Sequence, residues 1–485
     1  MKTLLLILKL LLLSATAVSA ARPTPASRAC RLIQSALPGK VFYPGKCRTE
    51  TYLEDMAHFQ TSSQENSTCS VQPSSAADLS RIIRIIGRDD IRSPFAVKSG
   101  GHATNQGFSS TTGVLISMAS FTSVVYNQDA GTVSFGTGRS WDEIYTILEQ
   151  DNVTVAGGRV PGVGVGLILG GGFSWIADQY GLGVDNVVSF DLVMPNGTFV
   201  TVSDTSYPEI LFGLKGGLNN FGIVSSVTMY ARPIGTVWGG VINYAPSAQI
   251  SQAVADFSLH NTDHKAQLAA AYVQTGSGQA IWQLIFFYDG GFIPPVYQPF
   301  LDIPALESNV GVRAFSDLLA TINVVSTNSG GLSNVIPIVQ YTLPIIEEIQ
   351  RQINITYQQA VNDNRSVIAV LLGVEPFLGA FNHETRSAYP HSPDRQVTPC
   401  NPWITFSDNA DVDYFRALLR KMSNDIQAFA VEQGQSRWDD IHYPNYALND
   451  TPLDLLYGSN VPQLKRIRRA VDPKNIMGLT GGYKF

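Results

Sequence analysis

Apolar residues recur at helical spacing in some segments of the chain and run or alternate in others, and the two patterns interleave, which predicts a mixed helix-and-strand protein. Ser75, with Asp78 three residues on, opens a helix whose Leu79, Ile82, Ile83 and Ile86 share one face, and Gly87 closes it. Apolar runs over 95–98, 114–118 and 132–135 predict strands against which that helix packs. A second helix carries Trp141, Ile144, Tyr145 and Leu148 on one face. The segments 187–194 and 198–202 flank Asn196-Gly197, the strongest short hairpin signal a sequence offers. From about Ile234 the character changes to longer segments, with strands over 266–273, 281–288 and 366–374 forming a second sheet and helices such as 412–429 covering it.

A chain of 485 residues exceeds what one hydrophobic core usually supports, so two lobes or a large two-part fold are expected. The pattern divides it into a first lobe over 69–233 with a leader segment over 21–68, a second lobe over 234–430 and a C-terminal segment over 431–485. Hydrophobic residues make up 44% and charged residues 15%, a balance that excludes a largely disordered chain. The formal net charge of −6 leaves no electrostatic footprint for nucleic acid. The one basic run, Lys465, Arg466, Arg468 and Arg469, reads as the solvated face of a helix.

Residues 1–20 have the form of a secretory signal: Lys2, a leucine-rich core over 4–13, then Val18-Ser19-Ala20 as a small-residue cleavage site. The apolar run is too short to span a bilayer comfortably, so the expectation is a protein of the secretory lumen or exterior without a membrane anchor. Acceptors of the Asn-x-Ser/Thr type at Asn66, Asn152, Asn196, Asn354, Asn364 and Asn449 suit a secreted glycoprotein. Four cysteines allow three pairings, among which sequence alone does not choose.

The chemistry concentrates in two glycine clusters. Ser99-Gly100-Gly101 follows an apolar strand and leaves successive backbone N–H groups uncovered for an anion such as a pyrophosphate. His102 ends that loop, where a ring nitrogen lies beside whatever the glycines hold and can be alkylated by a flavin methyl group. Gly162-Val163-Gly164-Val165-Gly166 and Gly170-Gly171-Gly172 supply a further backbone cradle. His260 and His264 lie four apart without a matching carboxylate or cysteine, so no metal site is expected.

Through 98–102, 162–172, Phe221-Gly222-Ile223-Val224, Tyr443-Pro444-Asn445-Tyr446 and Asp472-Pro473-Lys474-Asn475, the chain resembles secreted, fungal-type FAD-linked oxidoreductases of the berberine-bridge-enzyme type, within the vanillyl-alcohol-oxidase family. The resemblance implies an α+β fold: a PCMH-type two-part FAD-binding domain, a substrate domain with an antiparallel sheet covered by helices, and a C-terminal segment that returns to the FAD. It implies a disulfide between Cys30 and Cys69, with Cys47 and Cys400 paired or free. It also implies a bond from His102 to the 8α carbon of FAD. The slot before Pro161, a flavin-linked cysteine in many members, is Val160, so a single covalent link is expected, with a less open cleft and a lower potential.

Val163 matches the position where side-chain size decides oxygen access, and a valine goes with oxidases. Ser99, Gly100, Gly101, Gly164, Gly166, Gly170, Gly171, Gly172 and Ile223 are the expected cofactor contacts. Asn445 orients either a flavin carbonyl or its own segment. Tyr446 matches the family's base, whose phenol neighbours must then lower; Tyr443 and His442 are alternatives, and so is a Tyr446 that only packs on the flavin. In Ala388-Tyr389-Pro390-His391 the family's following arginine is Ser392, which leaves the substrate open.

The function expected is an FAD oxidase, monomeric, that removes a hydride from a small-molecule substrate and passes electrons to O2, giving H2O2. A specialised metabolite, with oxidative ring formation within reach, is the expected substrate. The alternatives are an oligosaccharide or sugar oxidase and a non-redox flavin-fold cyclase or binding protein.

Overall fold

The computed structural model describes residues 23–45, 49–276, 280–322 and 328–485. The expected signal over 1–20 and Cys47 lie outside the described residues. Four strands, β1 (Val41–Phe42), β2 (Cys69–Val71), β3 (Phe95–Lys98) and β4 (Val114–Ser117), form a first sheet in the order β1-β2-β4-β3. The two pairings among β2, β4 and β3 are parallel and β1 pairs antiparallel to β2, and the helix Ala76–Ile86 covers the sheet with Leu79, Ile82, Ile83 and Ile86 fully buried. The Ser75 side chain accepts the Asp78 N–H and caps that helix as the sequence pattern requires. Because β1 and the helix Pro25–Ala36 join this layer, the leader over 21–68 is built into the first lobe. Cys30 and Cys69 are disulfide-bonded there, whereas Cys400 is a buried free thiol.

A second, antiparallel sheet has the order β5-β6-β10-β8-β9, from β5 (Val124–Asn127), β6 (Thr132–Gly136), β8 (Val187–Val193), β9 (Phe199–Ser203) and β10 (Ile223–Tyr230). Short β7 (Val153–Thr154) and β11 (Arg232–Pro233) pair beside it. β8 and β9 form the hairpin that Asn196-Gly197 announces, with Gly197 at φ 80° and the Met194 N–H donating to the Thr198 carbonyl at 2.8 Å.

The third sheet forms the second lobe: β12 (Val237–Tyr244), β13 (Ala266–Thr275), β14 (Ile281–Tyr288), β15 (Glu307–Arg313), β16 (Gly330–Ser333), β17 (Ile336–Ile338), β18 (Val367–Val374) and β19 (Thr398–Phe406). Its order is β15-β12-β14-β13-β18-β19-β16, with β17 paired to β19 off that path, and every pairing is antiparallel. The helices Leu343–Asn362 and Val412–Glu432 bury one face through Ile345, Ile349, Ile353, Leu419, Met422 and Ile426. The other face turns toward the first lobe. The fold is therefore the expected two-part first domain with a helix-covered antiparallel sheet opposite it. After Val412–Glu432 the chain runs back between the lobes, and Tyr483 is pinned there by donating to the carbonyls of Ala447 at 2.8 Å and Leu448 at 2.9 Å.

Among the described residues no helix is long and apolar enough to cross a membrane. The helix Val461–Val471 keeps Lys465, Arg466 and Arg469 on its exposed side.

Candidate active site

A cavity of about 450 Å³ lies between the open face of the third sheet, the two glycine clusters and the segment Tyr443-Pro444-Asn445-Tyr446. Its size is that of an ordinary small-molecule site. Ser99, Gly100, Gly101, His102, Val160, Val163, Gly164, Gly166, Ile223, Asn445 and Tyr446 all line it, so the structure assembles most of the residues that the sequence singles out.

The two glycine clusters meet because they have no side chains. A Cβ on Gly164 would stand 2.2 Å from the Gly100 nitrogen and 2.5 Å from Ser99 Oγ, inside any tolerable contact. Ser99 Oγ accepts the Val165 N–H at 3.1 Å and locks the approach. Trp141, fully buried, holds the same loop from behind, its indole N–H donating to the Gly164 carbonyl at 3.0 Å.

His102 faces the cavity at the end of the first loop. Its ring stacks on Phe59 at 4.0 Å between centroids, and the buried Nε2 has no hydrogen-bond partner. Burial pushes the imidazole down to about 4, so it is neutral at ordinary pH and keeps a lone pair. A Cβ on Gly166, also in the cavity wall, would meet nothing within 4 Å. An orphaned, neutral imidazole nitrogen beside a glycine cradle that faces open space fits FAD.

Gly170, Gly171 and Gly172 correct the sequence reading. They do not line the cavity; a Cβ on Gly170 would stand 2.2 Å from Asn445 Oδ1, and one on Gly171 would stand 3.1 Å from the Tyr443 ring. The glycine requirement of Gly170 and Gly171 comes from packing against the C-terminal segment, and that of Gly172, at φ 91°, from its own backbone conformation and the close approach of Gly183. Asn445 likewise braces that segment, its Nδ2 donating to the Leu167 carbonyl at 2.8 Å and to the Tyr443 hydroxyl at 2.7 Å. His442 lies outside the cavity lining, and its Nδ1 pairs with the Asp440 carbonyl. The stretch 388–392 is also outside it, where His391, fully buried, pairs with Asp185 at 3.0 Å. His264 Nδ1 donates to the Asp178 carbonyl at 3.1 Å, and no cluster of metal-ligating side chains exists among the described residues.

Tyr446 sits in a cluster with Arg159 and Glu375, of which Glu375 is buried and the other two are half-buried. Arg159 Nη2 donates to Glu375 Oε2 at 2.7 Å and to Tyr446 Oη at 2.8 Å, and Tyr446 Oη donates to Glu375 Oε1 at 3.2 Å. The guanidinium also lies 5.3 Å from the Phe377 ring centroid and 5.8 Å from that of Trp175. The expectation that neighbours lower the Tyr446 phenol is corrected here. Burial first, then the Glu375 charge, holds it well above its ordinary value, and Arg159 opposes both. Burial also raises the Glu375 carboxyl, against the pull of Arg159.

Arg159 and Glu375 are the residues that sequence reasoning missed. Each left a faint signal: Arg159 is a charge in the glycine stretch immediately before Val160, and Glu375 is a carboxylate immediately after the apolar strand β18. What the sequence does not show is that the two meet.

The chain is similar to known proteins in sequence and in fold. Residues 67–203 match the FAD binding domain family. A FAD-linked oxidoreductase of Arthroderma benhamiae is 38% identical over 259 residues, which is 52% of this chain and 51% of that protein, so the match spans about half of the relative's length. The FAD-dependent monooxygenase drtC of Aspergillus calidoustus is 26% identical over 481 residues, 94% of this chain and 89% of that protein. Among solved structures, wild-type BBE-like 1 of Physcomitrella patens shares the fold with a TM-score of 0.74 at 18% identity, over 92% of this chain and 97% of that one.

Proposed function

We propose that the chain, whose residues 67–203 match the FAD binding domain family, is a berberine-bridge-enzyme-like FAD-linked oxidase of the secretory pathway. It removes a hydride from a small specialised metabolite and passes the electrons to O2, giving H2O2. The observation that carries the reading is the Tyr446–Glu375–Arg159 cluster, in the same cavity as the unpartnered His102.

The backbones of Ser99, Gly100, Gly101, Val163, Gly164 and Gly166, together with Ile223, would hold the cofactor, and His102 would carry the single covalent link because Val160 has no thiol. Bound FAD supplies the hydride acceptor. The proton that leaves the substrate's O–H or N–H goes to Tyr446 Oη, whose own proton moves to Glu375 Oε1 across the existing 3.2 Å hydrogen bond. Arg159 donates to Glu375 Oε2 and to Tyr446 Oη and opposes the burial that raises the carboxyl. Tyr446 thus works as a relay whose phenol never has to ionise alone.

The name of drtC raises monooxygenation as an alternative outcome. Val163, a small side chain in the cavity wall, supports reoxidation by O2 with peroxide release. The test is the visible spectrum of purified protein and of its acid-precipitated, washed pellet, followed by peroxide yield per substrate consumed. A yellow pellet and one peroxide per turnover support the reading. A colourless protein expressed with ample flavin, or a product that carries an oxygen atom from O2, refutes it.

A further inference from the structure

The open face of the third sheet carries a second pattern, independent of the proton relay. Gln283 on β14 pairs with Ala271 on β13, Ala271 pairs with Gly373 on β18, and Gly373 pairs with Asn401 on β19. All four line the cavity. They form one rung across four strands: an amide at each end and almost no side chain between. With strands about 4.8 Å apart, the two amides are separated by about 14 Å.

Gly373 needs an explanation, because a glycine inside a strand is ordinarily disfavoured. Protein packing does not demand it. A Cβ there would meet no atom closer than 3.8 Å, which is ordinary contact, and the backbone is not left-handed. A strand glycine without a steric reason in the protein marks the close approach of something else. The rung on one side of it is apolar, with Val273 paired to Leu371 and Leu371 to Trp403, and on the other side Ala269 pairs with Ile285. Asn401 Nδ2 is committed to the Asn334 carbonyl at 3.0 Å, which leaves Oδ1 to accept a donor from the cavity. The Gln283 amide has no protein partner among the described residues.

We propose that Gln283, Ala271, Gly373 and Asn401 form a substrate trough that takes a flat, fused-ring molecule, lying on the bare backbone with a hydroxyl or carbonyl at each end. This deepens the oxidase reading and rests on it. A pyranose carries hydroxyls around its ring, and those above Ala271, Gly373, Val273 and Leu371 would be desolvated without partners, a cost that excludes sugars. A fused-ring phenol loses nothing in the middle of the trough and pairs at both ends.

The test uses the flavin-loaded full chain and measures binding of 2,6-dihydroxynaphthalene, and separately of cellobiose and xylobiose, by perturbation of the flavin absorbance and of tryptophan fluorescence. The naphthalenediol is expected to bind and the two sugars not to. Gly373→Val and Ala271→Val, both suited to strands, fill the trough and are expected to weaken the diol by about tenfold or more, with the flavin-to-protein ratio unchanged. Sugar binding as tight as the diol, no diol binding, or filled-trough variants within twofold of the parent overturns the proposal. A colourless protein would instead overturn the flavin reading beneath it, so the two failures are told apart by colour.

Discussion

Tyr446 Oη stands 3.2 Å from Glu375 Oε1 while accepting a hydrogen bond from Arg159 at 2.8 Å, so a phenol on the C-terminal segment and a carboxylate at the end of a second-lobe strand share one proton position. That relationship makes the relay a property of two distant segments and gives each member a distinct expected defect. Tyr446→Phe removes the transfer atom and should slow anaerobic flavin bleaching by about 10²–10⁴ with little effect on folding. Glu375→Gln should be as slow, and it also strands Arg159 in the interior. Breaking a buried pair in this way costs about 3–5 kcal/mol, so its thermal midpoint should fall well below that of Tyr446→Phe. Equal midpoints for the two variants would contradict the arrangement.

In the proposed relay the same pair sets the acid limb of activity. Glu375 must be ionised to receive the proton, and burial raises its pKa above the ordinary glutamate value. The rate of flavin reduction should therefore fall with decreasing pH along a limb centred above 4.5, and Glu375→Gln should lose that limb altogether. A limb at or below the ordinary value would show that another group takes the proton.

His102 offers an unpartnered Nε2 on a neutral ring, and no other described group of the cavity wall has both properties together with the glycine loop beside it. His102→Ala should leave a folded protein whose yellow colour passes entirely into the supernatant on acid precipitation. Retention of colour in the pellet would place the link elsewhere.

The parts of the site that were legible in the sequence are those in which chemistry and neighbours lie together along the chain. Ser99-Gly100-Gly101-His102 carries its loop and its histidine directly after the strand, and Leu79, Ile82, Ile83 and Ile86 reveal a buried face by spacing alone. Arg159 and Glu375 are 216 residues apart, and their meeting depends on how two lobes close, which no local pattern encodes. Gly170 to Gly172 show the converse error. A glycine run next to such a loop looks like a cradle, but here Gly170 and Gly171 meet Asn445 and Tyr443, brought back by the C-terminal segment, and Gly172 meets Gly183. The motif of Tyr446 suggests a phenol lowered by its neighbours, whereas the burial that raises it is a tertiary property.

Gly164 and Gly166 separate packing from ligand approach within one loop. Gly164→Ala drives a Cβ into the Gly100 nitrogen at 2.2 Å and should cost about 1–3 kcal/mol of stability, read as a lower midpoint in urea. Gly166→Ala meets nothing within 4 Å, so the midpoint of the flavin-free chain should stay put while the flavin-to-protein ratio falls. Loss of stability in the second variant would mean that its glycine serves the fold.

Asp178, on the short helix Ala177–Tyr180, reaches into the second lobe and holds the loop that follows Glu375. Its carboxylate accepts the N–H groups of Leu378 at 2.9 Å and Gly379 at 2.9 Å and the side-chain amide of Gln267. Burial pushes it up to about 6 from 3.8 despite those donors. The folded state therefore binds a proton that the unfolded state has already released between pH 4 and 6, and stability contributed by the protonated form is present below the unfolded value and is lost as pH rises through the folded one. Asp178→Asn keeps an acceptor oxygen and removes the titration, so the midpoint difference between the parent and the variant should shift against the parent from pH 4 to pH 7. Thermal scans of both proteins across that range measure it, and a difference that does not change with pH would show that the buried carboxylate is already ionised at pH 4.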